Sequence, residues 1–230
     1  MTIKKENLDE WYEEQWNSTT PPGIEWVDES QPPMAEESPE EAEGRPEEHD
    51  PDWYDVVDNF LPTSVFDKLR YLILPTDEEI ANQNVEECKQ IPWYYAPYVV
   101  TLATKEEKPD RSLFYLAHMI YDHTILSPLF NEVIPACNDL LDFKSLIRVK
   151  INMYPNTEIL KEHGMHTDYA FPHKAGILSI NTCDGYTKLE DGTKIDSVAN
   201  RMLLFDASRP HTPSTTTDQT VRVNINFNYF

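Results

Sequence analysis

From Leu146 onward the chain consists of short alternating runs that suit a layered sheet and little else. "LIRVKINMY", "AGILSIN", "TKLEDGTKI", "RMLLFD" and "VRVNINFNYF" fall within the last 85 residues, with turn signals such as "CDGY" and the hairpin-like "EDGT" between them. In the last run, alternation puts Arg222, Asn224 and Asn226 on one face and Val221, Val223, Ile225 and Phe227 on the other. Five or more such strands after a helix-rich half predict a mainly β fold with α: a double-sheet jelly roll, or double-stranded β-helix, braced by N-terminal helices.

The bracing elements are expected within 53–145. "DWYDVVDNF" reads as a strand. "LPTSVFDKLRYLIL" reads as a helix with Thr63 or Ser64 as N-cap and Val65, Phe66, Leu69, Leu72 and Ile73 on one face. A weaker helix is expected within 77–89, and "PWYYAPYVVTLAT" is aromatic and β-branched enough for a strand. "PLFNEVIPACNDLLDF" looks helical, with Pro135 expected to kink or divide it.

Residues 1–52 differ in kind. They hold 17 acidic and three basic residues, a formal charge of −14 out of −22. The stretch "QPPMAEESPEEAEGRPEEHDP" offers almost nothing to bury, so a disordered acidic tail is expected before a single domain at 53–230. Within it Leu8, Trp11, Tyr12 and Trp16 stand near helical spacing, either as an aromatic docking motif for a partner or as a frayed helix or flap.

With 41 acidic residues against 19 basic, the surface should repel phosphate backbones and anionic lipid heads, so neither nucleic acid nor membrane is expected as a partner. No run approaches the roughly 18 apolar residues of a membrane helix. "MTIKKENLDEW" lacks the apolar core of a secretory signal. Cys88, Cys137 and Cys183 are scattered and odd in number, as buried thiols in a reducing cytoplasm would be.

Chemistry concentrates in "HGMHTDYA", residues 163–170. In an extended segment His166 and Asp168 leave on the same side. His211, in "SRPHTPS" before the final strand, is placed to complete a 2-His-1-carboxylate set, which binds iron(II) and leaves positions open. H-x-D alone is common on solvated loops. Arg222 strengthens it, because a guanidinium inside a barrel needs an anion and suits a carboxylate best.

These residues, together with "MYPN", "DGYT", "NRMLLFDASRPH" and "RVNINFNYF", resemble the iron(II)- and 2-oxoglutarate-dependent oxygenases, in particular their prolyl-hydroxylase-like branch, of which compact versions occur in bacteria and tailed bacteriophages. The likeness covers about 146–230, with a fainter echo in "DVVDNFLPTSVFDKLR". It implies iron held by His166, Asp168 and His211, and 2-oxoglutarate held at its distal carboxylate by Arg222, with Tyr154 and Asn224 as further cosubstrate contacts. It also implies dioxygen as oxidant, ascorbate as a candidate reductant, and hydroxylation of an unactivated C–H bond with release of succinate and carbon dioxide.

The resemblance puts a prolyl or other peptidyl substrate first and a free amino acid or small metabolite second. A cytoplasmic location, the host's if phage-encoded, goes with it. Nucleobase repair is disfavoured, since those demethylases carry an arginine where this chain has Asn228. A different class remains open: a non-catalytic jelly-roll binding, virion or assembly protein.

Other residues carry weaker expectations. His163 should have a surface or supporting role, His173 should line the substrate entrance or, the preferred reading, face water, and His118 and His123 should pack beside the helices. Trp93, Tyr94, Tyr95 and Tyr98 should form either a substrate wall or an aromatic core strand. Arg148 and Lys150 share a face with Asn152 and Tyr154, so one of them should point toward the barrel mouth.

Overall fold

The computed structural model describes residues 53–82, 91–99 and 110–230. Their elements, in chain order, are β1 (Tyr54–Val57), α1 (Thr63–Ile73), α2 (Asp77–Ala81), β2 (Tyr94–Ala96), a 3-10 turn (Arg111–Leu113), β3 (Tyr115–Asp122), α3 (Phe130–Leu141), β4 (Leu146–Pro155), β5 (Lys174–Ser179), β6 (Tyr186–Leu189), β7 (Lys194–Asp196), β8 (Met202–Asp206), β9 (His211–Pro213) and β10 (Val221–Tyr229). The acidic segment 1–52 with its aromatic pattern, Cys88, the end of the helix expected within 77–89 and the strand expected beyond Val99 lie outside the described residues.

Seven strands form an antiparallel sheet in the order β1-β8-β5-β10-β4-β3-β2, and β7-β6-β9 form a second, smaller one. Isolated bridges Glu162–Ser214 and His166–His211 add the segment before His166 to the far side of β9. The result is the two-sheet jelly roll that the strand pattern predicts.

The alternation in β10 explains how the layers divide. Val223, Ile225 and Phe227 are fully buried and join Val149, Ile151, Leu178 and Met202 in a core capped by Phe66, Leu69 and Ile73 of α1 and by Val133, Cys137 and Leu141 of α3. Those helical positions repeat every three to four residues, so each helix presents one apolar stripe to the sheet. The opposite face of the large sheet looks toward the small one. There Ala175, Ile177, Leu203 and Phe205 meet Leu189 in a second apolar cluster. On the central strands β4 and β10, this inner face is polar instead.

Local details depart from the sequence expectations at three points. The N-cap of α1 is Pro62 with no side-chain cap, and its carbonyl takes up the N–H groups of Val65 and Phe66, at 2.9 and 3.0 Å. Pro135 does not divide α3, which runs unbroken through it. Its ring is on the solvent side, as is Asn131 one turn earlier, so the carbonyl deprived of a partner faces water. β3 had no counterpart in the sequence reading. His118 lies on it, buried between the Pro92 carbonyl at 2.8 Å and the Ser127 hydroxyl at 2.7 Å, whereas His123, in the turn that follows, is exposed with φ at +54° rather than packed beside a helix.

Phe227 sits at the centre of the helix-covered core. Phe227→Ala is expected to cost about 3–5 kcal/mol, read as a lower midpoint with unchanged slope in urea denaturation.

Candidate metal centre

β4 and β10 are paired so that Arg148 stands opposite Asn228, Lys150 opposite Asn226, Asn152 opposite Asn224 and Tyr154 opposite Arg222. Alternation turns all eight side chains toward the small sheet. Arg222, Asn224, Asn226 and Asn228 are at most 4% exposed. A polar wall this deep needs partners, since each unsatisfied buried group costs about 1–3 kcal/mol. Only part of the need is met internally. Among the described residues, every buried side-chain polar atom without a hydrogen-bond partner in the protein belongs to this wall or to the histidines facing it: Arg148 Nε, Asn152 Oδ1, both His163 ring nitrogens, His211 Nδ1, Arg222 Nε and Asn226 Oδ1.

The segment beside β9 brings in the histidines. His166 and His211 exchange backbone hydrogen bonds of 3.0 and 2.9 Å, which sets their rings 4.6 Å apart between centroids. Asp168 follows two residues later, and one ligand atom from each of the three lies within 4.8 Å of the others. The spacing H-x-D and a histidine 43 positions away thus meet through one cross-strand pair. His166 Nδ1 stands 3.1 Å from the Gly164 carbonyl. Donating there leaves Nε2 as the lone-pair nitrogen, the tautomer a metal ligand requires.

Electrostatics prepares the same three groups for a cation. Burial would raise the Asp168 carboxyl, but the charges of Lys150 and Arg148 outweigh it and hold the group well below the usual carboxylate range. Arg148 contacts one oxygen at 2.7 Å, and the Asn228 and Asn226 amides donate to the other at 2.8 and 3.2 Å. His211 is driven down to about 4 by burial, and then by His166; burial also lowers His166. Two neutral imidazoles and one ionised carboxylate, with cations already oriented behind the carboxylate, fit a divalent metal of the iron(II) type.

Arg222 lies further along the wall. It is 1% exposed, donates to the Thr187 hydroxyl at 2.9 Å and the Ser214 carbonyl at 3.2 Å, and has no carboxylate within ion-pair distance among the described residues. Its guanidinium lies 5.4 Å from the ring centroid of Tyr154, which stacks on Tyr115. Burial pushes the Tyr154 phenol up, so it remains a hydrogen-bond donor at neutral pH. Gly185, in the "DGYT" turn, lets the arginine lie there: a Cβ would come within 2.7 Å of Arg222 Cδ and 2.5 Å of the Thr215 carbonyl oxygen. Tyr154, Asn224, His166 and His211 line one narrow cleft, joined by Tyr115, Lys150, Asn152 and Thr187.

Several weaker expectations change. His163 is not at the surface: it is 6% exposed, edge-on to Tyr154 at 5.2 Å, with burial and the nearby Arg222 charge lowering it to about 4. His173 does not face water but is buried, its Nδ1 at 2.9 Å from the Phe171 carbonyl. Tyr94, Tyr95 and Tyr98 are 40–64% exposed and form neither core nor cleft wall, whereas Trp93 packs on the helix-covered core. Both Arg148 and Lys150 face the centre. Sequence did not single out Thr187. The signal available for it was its position two residues after Gly185 on a strand of the opposing sheet.

No family model and no curated protein matches the chain. Solved structures do resemble it. A Pseudomonas putida prolyl-4-hydroxylase is similar at 13% identity, TM-score 0.46, over 76% of this chain and 91% of that one. A viral collagen prolyl hydroxylase of Paramecium Bursaria Chlorella virus-1, in a 2OG complex, is similar at 10%, TM-score 0.47, over 77% and 95%. A Trichoplax adhaerens prolyl hydroxylase, in complex with a hypoxia inducible factor peptide fragment, is similar at 14%, TM-score 0.45, over 77% and 83%.

The buried histidines make stability depend on acid. Below the ordinary value of 6.5 the unfolded chain takes up protons that His163 and His211 refuse until about 4, so the unfolded state binds more protons and stability falls as the pH drops through that window. Asp168 adds to the loss below 3.8, because its carboxyl is depressed in the folded state. Metal-free protein is expected to lose on the order of a few kcal/mol between pH 7 and 4.5, seen as a falling Tm. A flat profile over that range would show that these imidazoles are not shielded.

Proposed function

We propose that this chain is an iron(II)- and 2-oxoglutarate-dependent dioxygenase that hydroxylates an unactivated C–H bond. One observation carries the reading: a buried arginine without a carboxylate partner shares a polar inner wall with two imidazoles and a carboxylate gathered within 4.8 Å. Asn226, which touches Asp168, is four residues from Arg222, about 13 Å of strand. The reach of the arginine and a five-carbon diacid would divide that gap between them.

His166, Asp168 and His211 would hold the iron, with Arg148, Asn226 and Asn228 fixing the carboxylate that binds it. Arg222 and the Thr187 hydroxyl would take the distal carboxylate of 2-oxoglutarate, and Tyr154 and Asn224 would donate along its length. The iron, once bound, would supply dioxygen activation, with one oxygen atom passing into succinate as 2-oxoglutarate loses carbon dioxide and the other into the C–H bond. Ile177 and Phe205 of the second apolar cluster border the centre, Ile177 lining the cleft and Phe205 edge-on to His211 at 4.9 Å. Of the substrate classes expected from sequence, a prolyl or other peptidyl residue and a free amino acid or small metabolite, the surplus of cations around the centre favours the second.

His166→Ala and Asp168→Ala should each abolish iron binding and 2-oxoglutarate turnover; decarboxylation that continued unchanged would refute the assignment. Arg222→Ala should still bind iron but need about thirtyfold or more 2-oxoglutarate, as expected for losing a buried charge pair. Anaerobic addition of iron(II) and 2-oxoglutarate should give the weak visible charge-transfer band of the chelate, which a jelly-roll scaffold without the chemistry would not develop.

A further inference from the structure

We infer that the substrate of this centre is a small carboxylic acid whose carboxylate is held by Lys150. The inference rests on the iron(II)/2-oxoglutarate reading and adds the substrate class to it. Lys150 projects from β4 into the same cleft as His166 and His211, with Nζ 5.9 Å from the ring centroid of Tyr115. No carboxylate among the described residues lies within ion-pair distance of it.

Lys150 acts on Asp168 only through space. Its charge and that of Arg148 together hold the carboxyl ionised, but the direct contacts to Asp168 come from Arg148, Asn226 and Asn228. Positive charge remains in surplus around the centre. Arg148, Lys150 and Arg222 face one carboxylate, Asp168, leaving two positive charges in excess. A ferrous ion and a 2-oxoglutarate dianion cancel each other, so loading the centre does not remove the excess. Arg222 would face the cosubstrate's distal carboxylate and Arg148 contacts Asp168 directly, which leaves Lys150 as the cation with no carboxylate at ion-pair distance among the described residues. A half-buried cation at such a position is accounted for when something that enters the cleft neutralises it.

The group that enters should be small. The cleft is narrow, bounded by Val99, Tyr115 and Ile177; its roughly 340 Å³ of empty space includes the open mouth, and the cosubstrate would use part of it. One ammonium on a flexible stem suits a carboxylate approached end-on, whereas bidentate recognition would call for arginine. A chain of formal charge −22 also repels anions at long range, so an acidic substrate needs a cation of this kind at its destination.

The test uses the full chain with iron(II) and 2-oxoglutarate under anaerobic conditions, titrated with each proteinogenic L-amino acid and, separately, with its carboxamide. Binding beside the metal is read as a shift of the charge-transfer band. At least one free acid should shift the band while its carboxamide does not. Lys150→Met should weaken that acid about thirtyfold or more, and Lys150→Arg should recover binding to within a few-fold. Carboxamides that bind as well as acids, a Lys150→Met protein that titrates like the wild type, or a panel in which no acid shifts the band would each overturn the inference. If the band itself never forms in the wild type, the reading of the metal centre falls first, so the two failures are distinguishable.

Discussion

A buried guanidinium without an anion is the constraint around which this molecule is organised. Removing Arg222 from water costs several kcal/mol even after relaxation, and the Thr187 hydroxyl and Ser214 carbonyl return only part of it. Thr187 of the small sheet reaches the arginine, and Gly185 must lack a side chain for the two to lie so close. The fold therefore carries a standing electrostatic debt at the base of its cleft, which a dicarboxylate would cancel.

The same strands serve two incompatible environments by alternation. β10 sends Val223, Ile225 and Phe227 into a core sealed by α1 and α3, and sends Arg222, Asn224, Asn226 and Asn228 the other way. The helices supply no group to the centre. Their part is to bury enough apolar surface on one side that a wall of amides and cations can be maintained on the other. The rigidity of β4 and β10, central in a seven-stranded sheet, fixes the wall. The histidine pair is positioned by a single backbone bridge between His166 and His211.

Charge is distributed unevenly in a way that bears on chemistry. The chain is strongly acidic, yet Arg148 and Lys150 gather at Asp168, with Arg222 further along the same wall. Neutral imidazoles, an ionised carboxylate and nearby cations would together suit a divalent metal and an anion side by side.

Much of this was written locally. The jelly roll, the two faces of β10 and the metal-ligand candidates follow from alternation and residue type, which depend on neighbours two apart in the chain. The departures arise where distant neighbours decide. β3 and the burial of His118 depend on an edge that β4 offers, and the intact α3 depends on Pro135 falling on the solvent side. His163 and Lys150 could not be distinguished from surface residues by sequence, because a lone imidazole or ammonium carries no signal of what closes over it. The sequence by itself determined which side chains share a face and which chemistry they could support. Only the tertiary structure decided which of them are cut off from water and left unpaired, because desolvation is a property of what the other sheet covers.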